Sequence, residues 1–148
     1  MTQSYDSIGR LSQIAEGTTT YASGFTYNPA GQVESFTYGN GVAASFTYSD
    51  ARLQLTSLKY TKDTQTLFEL SYDYTQNGGL PAQAGNNGQV TSITDNVEAG
   101  RTVTYTYDAL GRLKTAVTNG SVPYPQWGLS WTYDRYGNRT AQTVTAGT

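Results

Sequence analysis

The chain has 148 residues, the length of about one domain, with no cysteine, no histidine and a formal net charge of −2. That excludes a disulfide framework, histidine-based triads and thiolate or imidazole metal centres, and it leaves no basic field for nucleic acid. Only 14% of residues are charged, whereas 13 are tyrosine and 16 are glycine, so an all-β chain with many turns is expected.

In chain order the first element is a turn, Tyr5-Asp-Ser-Ile-Gly-Arg-Leu11, met again as Tyr27-Asn-Pro-Ala-Gly-Gln-Val33 and more loosely as Tyr48-Ser-Asp-Ala-Arg-Leu53. A split copy follows, with Tyr72-Asp73-Tyr74 opening it, Gly88-Gln89-Val90 closing it, and a Gly/Asn-rich insertion over 75–88. Two further copies are Tyr107-Asp-Ala-Leu-Gly-Arg-Leu113 and Tyr133-Asp-Arg-Tyr-Gly-Asn-Arg139. Tyr5, Tyr27 and Tyr48 are 22 and 21 residues apart. A fixed period with insertions in loops is the mark of a repeat architecture, here one array of about six units over 1–148.

Each unit reads as a hairpin. Before the turn stand Phe25-Thr-Tyr27, Phe46-Thr-Tyr48, Val103-Thr-Tyr105-Thr-Tyr107 and Trp131-Thr-Tyr133, the period-2 alternation of a strand. In the turn, Asp6, Asp108 and Asp134 accept backbone N–H groups ahead of them, while Gly9, Gly31, Gly111 and Gly137 supply positive φ. Asp73 is read in the same way. Arg10 and Arg112 follow the turn glycine, with Arg139 two residues after Gly137, placed for a surface ion pair with a turn carboxylate.

After each turn, apolar residues fall three apart: Leu11 and Ile14, Val33 and Phe36, Leu55 and Leu58, Val90 and Ile93, Leu113 and Ala116. A helical turn has that spacing, but flanking Thr and Ser favour a strand interrupted by a bulge. Gly39-Asn40-Gly41, Lys62-Asp63 and Asn119-Gly120 look like second turns joining one unit to the next. A lone hairpin buries too little to stand by itself. Stacked, the hairpins make an antiparallel sheet of about a dozen strands, curling as a spiral, with open edges at its ends.

Tyr-Asp-x-x-Gly-Arg-Leu recurring after an aromatic-Thr-Tyr strand resembles the YD repeat of Rhs proteins, teneurins and toxin-complex C components, and Tyr107–Ala116 matches it closely. The resemblance covers nearly the whole chain. It implies a ribbon of sheet that spirals into a shell, in large members around a toxin domain, in teneurins as an adhesive surface. It also implies an extracellular or bacterial cell-surface setting and proposed binding of carbohydrate. At 148 residues the chain is too short to close a large shell. No core segment with self-cleaving aspartates is present in it.

No catalytic residue, metal ligand or cofactor site is nominated. A glycosidase needs two convergent carboxylates, and neither Asp108 with Glu98 nor Asp134 with Asp95 is singled out by spacing. Calcium has no Asp-x-Asp-x-Asp-Gly loop. Tyr124 and Trp127, in a loop, are the residues placed for ligand contact, their flat faces suiting a sugar ring or protein surface. Asn119 and Asn138 head glycosylation sequons. The remaining expected partners are glycans or wall components and further copies of the chain, paired through open sheet edges. No membrane-spanning run exists. Met1 leads into polar Thr2, Gln3 and Ser4 and not a signal peptide, so export is expected to use a signal upstream of this segment or a different route.

Overall fold

The computed structural model describes residues 1–75 and 85–147. Most of the expected 75–88 insertion therefore lies outside the described residues. All regular structure in them is β: β1 Thr2–Tyr5, β2 Leu11–Glu16, β3 Thr19–Tyr27, β4 Val33–Tyr38, β5 Val42–Tyr48, β6 Leu55–Lys62, β7 Gln65–Asp73, β8 Ser92–Asp95, β9 Val103–Tyr107, β10 Leu113–Thr118, β11 Gly128–Tyr133 and β12 Arg139–Ala146. The strands are antiparallel and hydrogen-bonded in chain order, β1 through β12. This is the all-β tandem-hairpin array that the repeat predicts. Among the described residues, no helix is long and apolar enough to cross a membrane.

The chain packs as two compact units, Met1–Glu69 and Leu70–Thr148. In the first, Tyr27 faces Val33, Tyr48 faces Leu55 and Phe46 faces Leu58. Phe25 and Phe36 stack with centroids 4.8 Å apart, and Phe36 leads on to Phe46 at 6.1 Å. Tyr60 continues the row to Phe68 at 6.3 Å. The opposite face carries Thr26 bonded to Ser35 and Lys59 paired with Glu69. In the second unit, Tyr72 faces Ile93, Tyr107 faces Leu113 and Tyr105 faces Ala116. There too the reverse face is hydroxylic, with Thr106 against Thr115 and Thr132 against Thr140.

The expected bulge recurs at one place. Tyr5 pairs with Leu11 but Ser4 with Gln13, leaving Ser12 extra. Glu34, Thr56, Lys114 and Thr140 are extra in the same way. One added residue turns a spacing of three back into alternation. Leu113 and Ala116 thus lie on one face, opposite Tyr107 and Tyr105.

Burial is shallow. Among the described residues, the buried apolar side chains are Ala22, Ala44 and Ala116, and no large side chain is fully buried. A single sheet layer explains this, because aromatic rows lying on it cover each other's flanks but not their outer faces.

The structure departs from the sequence expectation at four places. Asp73 is the last residue of β7, opposite Ser92, so the strand takes in the position read as a turn, although Asp73 Oδ1 does accept the Thr75 amide ahead of it at 2.8 Å. Tyr74, not Tyr72, then holds the repeat tyrosine position, with Tyr72 as the aromatic two residues before it. The loose third turn is one residue longer than the others: Ser49 takes the Asp position and Leu53 takes the Gly position, at φ 55°. Asn119-Gly120 opens a nine-residue connection, 119–127, and not a tight hairpin turn. Gly17-Thr18 is a joining turn that the repeat spacing did not reveal, with Gly17 at φ 58°.

Candidate functional site

The repeated turn is a built cluster. Asp6 Oδ1 accepts the amides of Ile8 at 3.0 Å and Arg10 at 2.8 Å, and its Oδ2 accepts Nε of Arg10 at 2.8 Å. Asp108 repeats this with Leu110 and Arg112, at 3.0, 2.9 and 2.7 Å. Asp134 binds the amides of Tyr136 and Asn138 and the side chain of Asn138. Where Asn28 replaces the acid, Gln32 replaces the arginine, and the Asn28 amide donates to Gln32 Oε1 at 2.9 Å. A neutral pair thereby keeps the geometry of the charged one. Glycines 9, 31, 111 and 137 all sit at positive φ in these turns.

Donors crowding the carboxylates hold them below their ordinary value. For Asp6 the main cause is the Arg10 amide, then its guanidinium. For Asp108 the Arg112 amide leads, and for Asp134 the Asn138 side chain.

Sequence reasoning missed how one repeat grips the next. Tyr27 donates its phenol to the Leu11 carbonyl at 2.7 Å and Tyr48 to Val33 at 2.9 Å. Tyr107 donates to Val90 at 2.7 Å and Tyr133 to Leu113 at 2.8 Å. The acceptor is always the first apolar residue after the preceding turn. Arg10 lies 4.5 Å over the Tyr27 ring and Arg112 lies 4.7 Å over Tyr133. Arg112 Nη1 also donates to the Asp134 carbonyl at 3.0 Å. The expected Asp–Arg pairs thus extend into the following unit. Arg139 takes no part in such a pair; it donates to Gln142 at 3.0 Å. The constant offset from post-turn residue to next tyrosine was the available signal, but a spacing does not say that the phenol points at a main-chain oxygen.

Tyr124 and Trp127 sit in a second constellation, made by the connections 96–102 and 119–127. The two loops interlock through Asn119 N–H to Thr102 O, Gly120 N–H to Gly100 O and Ser121 Oγ–H to Ala99 O. The Asp95 side chain, 3% exposed, accepts the Val97 and Glu98 amides and pairs with Arg101 at 3.4 Å. Arg101 lies 5.4 Å from the Tyr124 ring centre. A hydrogen bond to Glu98 is the first cause pushing the Tyr124 phenol up, with desolvation next. Arg101 and Tyr124 border a cavity of about 370 Å³ with Val103, Pro123 and Pro125 in its wall. Trp127 also borders it and is 42% exposed. The chemistry on offer is aromatic and apolar contact beside one guanidinium.

The two sequons differ. Asn119 is exposed at the start of the loop, whereas the Asn138 amide is engaged by Asp134 at 3.1 Å. Asp95 and Asp108, each half of a carboxylate pair considered for hydrolysis, are both occupied in turn contacts. Among the described residues, no group of three or more acidic, His or Cys side chains is arranged to hold a metal ion.

A family model described as RHS Repeat matches residues 86–121, spanning β8, β9, the Asp108 turn and β10. No curated protein matches the chain. Among solved structures, the chain is similar to a chain of the Photorhabdus luminescens Tc holotoxin pore, at 27% identity and a TM-score of 0.75. It is also similar to one in the crystal structure of TcdB2-TccC3 without its hypervariable C-terminal region, at 26% identity and a TM-score of 0.77. Each match takes in 97% of this chain but 8% of the other, so the chain spans about 8% of the length of the structures it matches.

Proposed function

Given that the chain is a YD-repeat protein of the RHS type, we propose that it serves as a non-catalytic structural scaffold, a stretch of sheet wall in a shell of such repeats. The observation that carries this is the repeat joint. Its Asp, Arg and Tyr side chains are engaged with the turn, with the next repeat, or with both. Chemistry-bearing groups consumed in holding neighbours together leave a wall and not an active centre. A self-assembling filament subunit is the finer form of the same reading. Its setting is extracellular or at a bacterial surface, in keeping with the toxin complexes to which the chain is similar.

The test pairs stability with turnover. Tyr107→Phe and Tyr133→Phe are each expected to lower unfolding free energy by about 1 kcal/mol, the usual worth of one such bond. The unmodified chain is expected to show no turnover on a panel of glycosides and esters. Turnover abolished by Glu98→Gln or Asp95→Asn would overturn the scaffold reading.

One observation favours a second reading, contact with a glycan or protein surface. Trp127 presents an exposed ring beside the 370 Å³ cavity, an arrangement suited to stacking. Binding of glycans or wall fragments on an array is then expected to fall at least tenfold in Trp127→Ala. Undiminished binding removes this site.

A further inference from the structure

We propose that the turn rim of the second unit docks on an anionic lipid surface, Leu110 and Tyr136 entering the headgroup layer while Lys114, Arg135 and Arg139 meet its charge. This goes beyond the scaffold reading, because a wall needs no such surface.

The rim is built by two adjacent hairpins. In the antiparallel order β9-β10-β11-β12, the Asp108 and Asp134 turns leave the sheet at the same end. Arg112 Nη1, donating to the Asp134 carbonyl at 3.0 Å, ties one turn to the other. Leu110 and Tyr136 hold the same place in these turns: each lies two residues after the Asp and gives its amide to that carboxylate. With those amides turned into the loop, the side chains project, Leu110 at 76% and Tyr136 at 73% exposure. Two strand spacings set the turns roughly 10 Å apart. One exposed apolar residue is ordinary. Two at the same turn position, flanked by cations, make a surface with a preference.

Charge names the partner. Four of the five basic residues between 70 and 148 are at this end of the unit: Arg112, Lys114, Arg135 and Arg139. The acids there are Asp73, Asp108 and Asp134, and residues 74–94 carry no charge. Asp108 and Asp134 keep their oxygens on turn amides and neighbouring side chains. Lys114, Arg135 and Arg139 are exposed, so the field reaching solvent is positive. Arg135 lies 4.5 Å over the Tyr136 ring, a cation held beside an amphipathic tip. Such a pair suits the membrane interface, where Tyr places its ring among the upper acyl carbons and Arg keeps its head in water. Projecting tips enter a fluid layer without a preformed pocket, which an acidic protein would have to supply. At the joining end of the same unit, Asp95 and Glu98 outnumber Arg101. The first unit's rim shows Ile8 at 71% exposure, but there Asp6, Glu34 and Asp50 outnumber Arg10 and Arg52. The surface therefore belongs to the second unit.

The test uses the full chain with vesicles of phosphatidylglycerol and phosphatidylcholine in roughly equal parts, at low salt. Co-sedimentation with these vesicles is expected, and none with phosphatidylcholine alone. The chain has no cysteine, so Leu110→Cys or Val122→Cys accepts a single polarity-sensitive dye. The dye at 110 is expected to shift to the blue on vesicles. At 122, on the joining connection and 99% exposed, it is expected to stay unchanged. Arg135→Gln with Arg139→Gln is expected to lower partitioning about 25-fold, about fivefold for each cation removed. Leu110→Ser with Tyr136→Ser is expected to lower it at least tenfold with thermal unfolding unchanged, since both side chains stand outside the turn's bonding. No binding to the anionic vesicles, equal binding to neutral ones, or a response at 122 in place of 110 would each overturn the proposal. So would binding that survives loss of Leu110 and Tyr136, which is adsorption by charge alone. Soluble polyaspartate held as tightly as the vesicles would assign the rim to an acidic polymer and overturn the choice of partner.

Discussion

The turn carboxylates set the chain's response to acid. Each is held below the ordinary 3.8 in the folded state by amide and side-chain donors. On acidification the unfolded chain therefore takes up protons first. This contribution to stability is fully present above about pH 3.8 and disappears as pH falls through the lowered folded values. Denaturation followed from pH 6 to pH 2 is expected to show this loss. Asp6→Asn together with Asp108→Asn is expected to flatten it, since neither replacement titrates. At the alkaline end, burial pushes Tyr48, Tyr72, Tyr74, Tyr105 and Tyr107 above 10. Here the folded chain keeps its protons longer, so stability is expected to fall as pH rises past 10. Leu53 is a separate residue-scale case. A leucine at φ 55° carries strain of about 1–2 kcal/mol, and its side chain is 45% exposed. Leu53→Gly is therefore expected to stabilise the first unit by about 1 kcal/mol in chemical denaturation, after the glycine's added unfolded-state entropy.

At the scale of the strand, the bulge is the device on which the faces depend. Lys114 is the extra residue between Leu113 and Thr115. Deleting it forces Thr115–Thr118 to exchange faces, because strand side chains alternate with period two. Ala116, 3% exposed, would turn outward and threonine inward. A loss of about 2–4 kcal/mol is expected, the scale of removing buried apolar packing. Replacing Lys114 with Thr, the residue at the equivalent positions 56 and 140, is expected to be near neutral. The bulge itself was legible, because a spacing of three next to Thr and Ser fits a strand only with one residue added. The 119–127 connection was not. Asn-Gly reads locally as a tight turn, and only contacts with residues 99–102, distant in sequence, draw the chain away into a loop.

For the whole molecule, a nearest-neighbour array is stabilised joint by joint. Amide exchange is expected to be slowest in the interior strand pairs, such as β5 with β6, and fastest in β1 and β12, whose residues are nearly all exposed. Uniform protection along the chain would contradict that picture. The sequence by itself determined the class, the repeat period, the hairpin turns and the alternation of aromatic and hydroxylic faces. All of these are local consequences of side-chain period and turn chemistry, written within seven to ten residues. Tertiary structure decided what acts between repeats: the phenol-to-carbonyl bonds, the guanidinium of Arg112 over Tyr133, the interlocked loops around Tyr124, and the division at Glu69. The bonds and ring contacts among these join groups 15 to 22 residues apart, and a repeat period fixes that such units stack without fixing which atoms meet. The bulge and the hairpin are properties of one strand pair; the grip of one pair on the next exists only once they are packed.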